Sequence, residues 1–317
     1  MSGNSFGRHF IIHTFGESHG AALGAIVDGC PAGLDFDLSF LQSELDRRRP
    51  GTNQSVSSRQ EPDQVEVLSG VFQGKTLGTP IALIVRNQDQ RSADYDQIQN
   101  QPRPGHADDI WRQKYGHVDH RGGGRSSGRE TVSRVLGGAV AKMVLQKIYP
   151  NLKFETRIIQ MGPFQNPSET QIAEALEKAK AQGESFGAQI ELRIQNPPPS
   201  LGQPVFHKLK SDLAGAMMSV GATTAIEFGA GTAAGFAKGT EFHRSNQAVY
   251  GGLRGGISTG EDIVMKITMK PTSSILDVAK QGRHDPCIGL RARPVFEAMA
   301  ALVLVDHHLG LNQDQFR

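Results

Sequence analysis

The sequence is short of cysteine. Cys30 and Cys287 are the only two in 317 residues. Two thiols in a chain of this length do not make a disulfide framework, so a reducing, cytoplasmic setting is the expectation. Aromatic residues are scarce too, at 6%, with one tryptophan. A single-strand nucleic-acid groove interleaves basic residues with stacking platforms, and only Trp111 and Tyr115 stand among basic neighbours, so no nucleic-acid partner is expected. Excess charge of one sign is missing: 34 Lys and Arg against 32 Asp and Glu leave a net +2. That excludes a general polyanion binder and makes any basic function local. Long hydrophobic runs are absent as well. "AMAALVLV" at 298–305 is too short to span a bilayer, and "MSGNSFGRHFIIHTFG" lacks the apolar core of a signal peptide. No membrane partner is expected.

Glycine is plentiful, with 37 residues, several in clusters at 122–124, 251–252 and 255–256. Glycine tolerates positive φ and lets backbone approach a ligand closely. Apolar residues at 38% and charged residues at 21% fit a soluble globular chain. The length, with no linker and no evident repeat, suits a single domain over 1–317.

Periodicity predicts an α+β chain. "DLSFLQSELDRRRPG" places Leu38, Leu41 and Leu45 on one helical face and stops at Pro50-Gly51. "SGRETVSRVLGGAVAKMVLQKI" is the strongest helix, from Val132 through Val144, with Ser127 and Glu130 spaced as a capping box. A third helix starts at Ser168, with Gln171 completing its cap, and stops at Gly183. A fourth runs through "FHKLKSDLAGAMMSVG" and a last one from Pro294 to Gly310. "EVLSGVF", "PIALIV", "GAQIELRIQ", "AIEFG" and "DIVMKITMK" read as strands. In the last, Ile263, Met265, Ile267 and Met269 alternate with polar residues. Such alternation favours antiparallel sheets with one buried face over a doubly wound parallel sheet.

"GESHG" at 16–20 satisfies G-x-S-x-G, the nucleophile elbow of α/β-hydrolases. The elbow requires a helix after the serine, whereas "AALGAIVDG" reads as a strand. A serine hydrolase using Ser18 is kept as an alternative, but His19, beside a glycine and near a carboxylate, is the more telling residue. "GAGTAAG" at 229–235 has the wrong spacing for a dinucleotide fingerprint. The pairs His117/His120 and His307/His308 lack a clear cysteine or carboxylate partner, so no metal is expected.

Positive charge gathers in "RPGHADDIWRQKYGHVDHRGGGRSSGRET", from Arg103 to Thr131. Its second half sets glycines, Arg125, two hydroxyls and Arg129 at a helix N-terminus, where free amides and the dipole favour an anion. Arginine adds bidentate recognition of phosphate or carboxylate. Three further patches are Arg47 to Arg49, "KPTSS" from Lys270 to Ser274, and "RHDPC" from Arg283 to Cys287. The four together point to a site for more than one anionic group.

In order along the chain, "FGESHG", "DRRRPG", "SGVFQGKTLGTPIAL", "RPGHAD", "RGGGRSSGRET", "GGISTGE", "KPTSSI" and "GRHDPCIGLRARPVFEAM" resemble the chorismate synthase family, from Phe15 to about Leu309. The resemblance implies a β-α-β sandwich, helices packed between two antiparallel sheets, assembled as a homotetramer. It implies a lyase that removes phosphate from 5-enolpyruvylshikimate 3-phosphate by 1,4-anti elimination, giving chorismate for aromatic amino-acid biosynthesis. It implies reduced FMN as cofactor, with NADP associated with the family; no domain for reducing flavin is evident, so an external flavin reductant is expected. By the same resemblance, His106 is the general acid for the leaving phosphate. His19 protonates the reduced flavin, and Asp285 assists removal of the ring proton. Arg48, Arg103, Arg129 and Arg283 anchor substrate. Arg125, Ser126, Ser127, Gly221, Ala222, Gly255, Lys270, Pro271, Thr272, Ser273, Ser274 and again Arg283 form the flavin site. The chain departs from the family pattern at Gln54, where an arginine is usual, with Arg59 nearby. It also departs at Thr223-Thr224, at "QAVY" and in shortened loops at 240–250 and 274–282. A catalytically altered relative that binds an anion or flavin is the alternative within the same fold.

Overall fold

Residues 3–49, 62–88, 105–119, 123–273, 275–276 and 285–311 are described by a computed structural model. Strands β1 (Ser5–Phe6), β2 (Ile11–Gly16), β3 (Ala22–Asp28), β4 (Val65–Ser69) and β7 (Ile81–Arg86) form one antiparallel sheet in the order β1-β2-β3-β7-β4. Strands β8 (Lys153–Met161), β9 (Phe164–Gln165), β10 (Ala188–Gln195), β11 (Thr223–Phe228) and β14 (Ile263–Met269) form a second, in the order β11-β14-β10-β8-β9. Two small hairpins pair β5 (Val71–Phe72) with β6 (Lys75–Thr76) and β12 (Leu253–Arg254) with β13 (Ile257–Ser258).

Each large sheet buries one face against helices. α3 (Thr131–Ile148) packs on β2, β3 and β7, while α7 (Gly289–Gly310) packs on β8 and β10. The two helices face each other, with α1 (Leu38–Arg48) against both and α5 (Leu209–Met218) against α7 and β11. α2 (Asp108–Tyr115) and α6 (Gly239–Arg244) bury no residue, and α4 (Glu169–Gln182) buries one stripe: Ile172, Ala175, Leu176 and Ala179. The sandwich expected from the sequence is the fold observed.

A helix enclosed on every side needs apolar residues all round and small ones where neighbours press closest. In α3, a Cβ on Gly137 would stand 2.6 Å from Ile12 of β2, and one on Gly138 only 2.3 Å from the Ala298 Cβ of α7. The glycine pair thus sets how tightly sheet and helix close on α3. Such enclosure leaves Lys142 of α3 buried, and it is neutralised by Glu44 of α1 at 2.5 Å and Glu297 of α7 at 3.0 Å.

β10 and β14 alternate buried and half-buried residues along their whole length, as their sequences predict. The third helix carries its full capping box, Ser168 with Gln171, and ends at Gly183 in the left-handed region. Four details differ. "EVLSGVF" breaks at Gly70, whose φ of +81° ends one strand and starts a hairpin. Ser127 caps a 3-10 turn over Gly128–Glu130, accepting from the Arg129 N–H at 3.3 Å, and Glu130 pairs with Arg134 at 2.9 Å instead of closing a capping box on α3. The fourth helix begins at Leu209 and leaves Phe206 outside it. α7 begins a turn earlier than Pro294. Proline cannot donate to the carbonyl four residues back, and the Arg293 Nε donates to that Leu290 carbonyl instead, at 3.4 Å.

Candidate active site

"GESHG" is the loop of the β2–β3 hairpin. Gly16 and Leu23 are the last paired residues, and the Gly20 N–H donates to the Glu17 carbonyl at 3.0 Å. A strand follows, so the strand-to-helix elbow required of a serine nucleophile is not formed. Ser18 is wholly buried, and its hydroxyl lies 3.2 Å from Nδ1 of the buried His19. Asn87, just past β7, holds the loop by donating to the carbonyls of Gly20 at 2.7 Å and Glu17 at 3.2 Å. Arg125 reaches the same strand end, donating to the Gly16 and Thr14 carbonyls at 3.2 Å each.

Beneath this loop lies a buried ion cluster. Arg48 from the last turn of α1 donates to Asp63 Oδ2 at 2.8 Å, and Arg129 donates to Asp63 Oδ1 at 2.8 Å. Arg48 also reaches Thr131 Oγ1 at 3.2 Å, and Arg129 Nε reaches Asn87 Oδ1 at 2.8 Å. Asp63 is 0% exposed and Arg48 1%. Burial pushes the Arg48 guanidinium down to about 10, opposed by Asp63, with Arg291 and Arg129 adding to the fall; the group stays cationic at neutral pH. Burial alone would raise the Asp63 carboxyl, but Arg48 and Arg129 overcome it and hold the group below the ordinary carboxylate range. Nε of Arg48 is buried with no hydrogen-bond partner among the described residues, and so is Nε of Arg291. Buried donors of this kind need partners, and an anionic ligand would supply them.

Arg291, in the first turn of α7, links this cluster to a second group. Its Nη1 donates to Asp285 Oδ2 at 3.1 Å, while Asp285 Oδ1 accepts from the Cys287 N–H at 3.2 Å. The Asp285 carbonyl accepts from Thr272 Oγ1 at 2.9 Å, and the Lys270 N–H donates to the Ala222 carbonyl at 2.9 Å. Ser273 Oγ donates to the Gly105 carbonyl at 2.9 Å, which brings the His106 loop beside "KPTSS". Pro271 is exposed between Lys270 and Thr272.

Thus His19, Arg48, Arg125 and Arg129 gather in one group, and His106, Ala222, Lys270, Thr272, Ser273 and Asp285 in the other. Ser126 and Ser127 face their own turn: Ser126 Oγ donates to the Gly123 carbonyl at 2.7 Å. Gly221 is exposed next to Ala222. Gly255 is exposed in the turn between β12 and β13, whose neighbour Gly256 packs on Lys208 rather than on either group. Arg103, Ser274 and Arg283, with Gln54 and Arg59, lie outside the described residues. Sequence reasoning missed Asp63, Asn87 and Arg291. Among the described residues no cluster of three or more His, Cys, Asp or Glu is arranged for a metal, and no helix is long and apolar enough to cross a membrane.

A cleft of about 530 Å³ opens between α2 and the Gly123–Ser126 turn, walled by Trp111, Tyr115, His117, Arg125 and Ser126. Gly124 has φ +50° and open space where a Cβ would stand. Thr223 Oγ1, beside Ala222, is buried with no hydrogen-bond partner among the described residues. In the cleft the Arg125 guanidinium, and in the second group the Lys270 ammonium, are donors of the kind that suits a phosphate-bearing flavin.

The chain matches known proteins almost end to end. The sequence model of a family described as chorismate synthase matches residues 10–309. A chorismate synthase of Bdellovibrio bacteriovorus is 56% identical, over 99% of this chain and 100% of its own length. One from Nitrosospira multiformis is 46% identical, over 98% and 88%. A crystal structure of a chorismate synthase superposes with a TM-score of 0.76 at 30% identity, covering 96% of this chain and 93% of the other. A matched sandwich, a matched family pattern over 10–309 and relatives of this identity leave one conclusion: the chain belongs to the chorismate synthase family.

Proposed function

We propose that this protein converts 5-enolpyruvylshikimate 3-phosphate to chorismate and phosphate, with reduced FMN beside the substrate. The observation that carries this reading is the buried Arg48–Asp63–Arg129 cluster lying under the His19 loop, with the buried Nε donors of Arg48 and of nearby Arg291 without a hydrogen-bond partner among the described residues. The substrate brings one phosphate and two carboxylates, and arginine suits both. Arg48 and Arg129, with Arg103 and Arg283, hold these anions. Arg125, Lys270, Thr272 and Ser273 hold the flavin, joined by Ser126, Ser127, Gly221, Ala222, Gly255, Pro271 and Ser274. When bound, the flavin supplies transient electron density to the substrate in a reaction that is redox-neutral overall.

His106 donates a proton to the departing phosphate, since histidine is suited to act as an acid near neutral pH. His19, its Nδ1 turned to Ser18, holds the proton on the flavin side of the site. Asp285, kept in place by Arg291 and the Cys287 N–H, assists removal of the ring proton. The protein works as one domain in a homotetramer, with reduced flavin supplied from outside. The test is anaerobic: purified protein, substrate and chemically reduced FMN should yield chorismate and phosphate, and oxidised FMN should yield neither. Folded protein that makes no chorismate with reduced flavin would overturn the reading.

A further inference from the structure

Asp63 is an acid in a site built for anions. Its carboxylate either competes with the ligand for Arg48 and Arg129 or sets those arginines in place. Geometry separates the two. Asp63 does not form a fork on either guanidinium; it gives one oxygen to a terminal nitrogen of each, at 2.8 Å. A second contact on a different element then fixes each guanidinium: Thr131 for Arg48 and Asn87 for Arg129. An arginine held at one point swings about it, whereas one held at two points has a fixed plane. Asn87 in turn holds the His19 loop through the Gly20 and Glu17 carbonyls. Asp63 is therefore the hub that relates two arginines to each other and to the loop above them.

We infer that Asp63 is a positioning residue: it fixes the spacing of Arg48 and Arg129, so that the site selects a ligand with two separated anionic groups over a lone phosphate. This inference rests on the functional reading above. Charge alone would not achieve such selection, because Asp63 and Asp285 offset much of what Arg48, Arg129 and Arg291 bring. Selection must come from where the donors point.

The test is calorimetric titration without flavin, using 5-enolpyruvylshikimate 3-phosphate and, separately, inorganic phosphate, with melting temperature recorded for each variant. Asp63→Asn keeps the shape but turns an amide N–H₂ toward one arginine. It should weaken substrate binding by about 10- to 150-fold, the worth of one charge-assisted hydrogen bond no longer aimed at the ligand. Affinity for inorganic phosphate, which any single arginine satisfies, should stay level or rise. Tighter binding of both probes would identify Asp63 as a competitor and overturn the inference. Equal loss for both probes would mark a structural role and overturn it too. Asn87→Ala leaves the ion cluster intact, releases Arg129 Nε, and should weaken substrate relative to phosphate by about 2- to 13-fold, the worth of one hydrogen bond. If Asp63→Asn does not fold, an unchanged substrate-to-phosphate ratio in Asn87→Ala overturns the inference. Wild-type protein that does not bind the substrate overturns the functional reading and this inference with it. Wild-type binding with unchanged ratios in both variants overturns this inference alone.

Discussion

Glu297→Gln removes one negative charge from the sandwich interior while keeping the side chain's size. Glu297 Oε1 accepts from Arg47 Nη2 at 2.8 Å and Thr156 Oγ1 at 2.7 Å; Oε2 accepts from Arg47 Nη1 at 2.7 Å and Lys142 Nζ at 3.0 Å. A glutamine offers one oxygen and one amide nitrogen. The nitrogen faces either Arg47 Nη1 and Lys142 Nζ, or Arg47 Nη2 and the Thr156 hydroxyl, which can turn to accept, so at least one cationic donor meets another donor. Breaking a buried pair costs about 3–5 kcal/mol. Glu44 remains, 2.8 Å from Arg47 and 2.5 Å from Lys142, so neither cation is left alone. The loss should therefore lie near the lower bound, about 3 kcal/mol. In a large domain each kcal/mol moves Tm by about 2–4 °C, so a drop of roughly 6–12 °C is expected. Urea melts and calorimetry at pH 7 measure it.

Acid gives a second check. Burial raises the Glu297 carboxyl, but Arg47, Lys142 and Thr156 more than reverse this, and the folded value is lowered. Its contribution is then present above the unfolded value of about 4.3 and is lost as pH falls through the folded value. The gap between wild type and Glu297→Gln should stay constant from pH 6 to 8 and narrow below roughly pH 4. Adding Lys142→Met removes the surplus cation and should recover on the order of 1 kcal/mol as a coupling term. A single-variant loss under about 0.5 kcal/mol, the range of an ordinary surface change, would refute the reasoning.

Gly138→Ala sets a Cβ against the Ala298 backbone and should cost about 1–3 kcal/mol despite better helix propensity. Gly215→Ala, in α5 with nothing near its Cβ position, should instead gain up to about 1 kcal/mol; denaturant melts of both compare them directly. Asp306→Ala should cost about 1.5–3 kcal/mol or more, since its Oδ1 accepts from the N–H groups of Arg8, His9 and Phe10. Burial raises the Asp306 carboxyl, yet those bonds and Arg8 leave it lowered, so the difference should fade on acidification through the folded value. His106→Ala should reduce kcat by about 10²–10⁴-fold in the anaerobic assay while Tm hardly moves; a large Tm loss at an unchanged rate would mean the residue is structural.

Elements with one buried face were plain in the sequence. β10 and β14 alternate because only one side meets the helices, and α4 announces itself through a complete cap. β2 and β8 escaped notice because their burial does not alternate cleanly throughout: Phe15 is exposed on β2, and on β8 the alternation from Lys153 to Ile158 is broken by the register shift at Ile159. In the site, glycine-rich and arginine-rich stretches marked Arg48, Arg125 and Arg129. Asp63 could not be read the same way. It lies in "EPDQ", which resembles a surface turn, and its burial depends on arginines 15 and 66 positions away. No local pattern encodes a pairing of that kind.

The helix that fills the interior is made late. α7 spans Gly289–Gly310, yet it supplies the surface on which α3, α1 and the second sheet close, and its first turn supplies Arg291 to the site. At about 5–20 residues per second, roughly 15–55 s pass on the ribosome between β2 and α7. During that interval the inner face of the second sheet and the side of α3 that meets α7 lack the cover α7 provides. Until α7 emerges that apolar surface stays open, and the Arg48–Asp63–Arg129 cluster lacks the Arg291 that links it to Asp285.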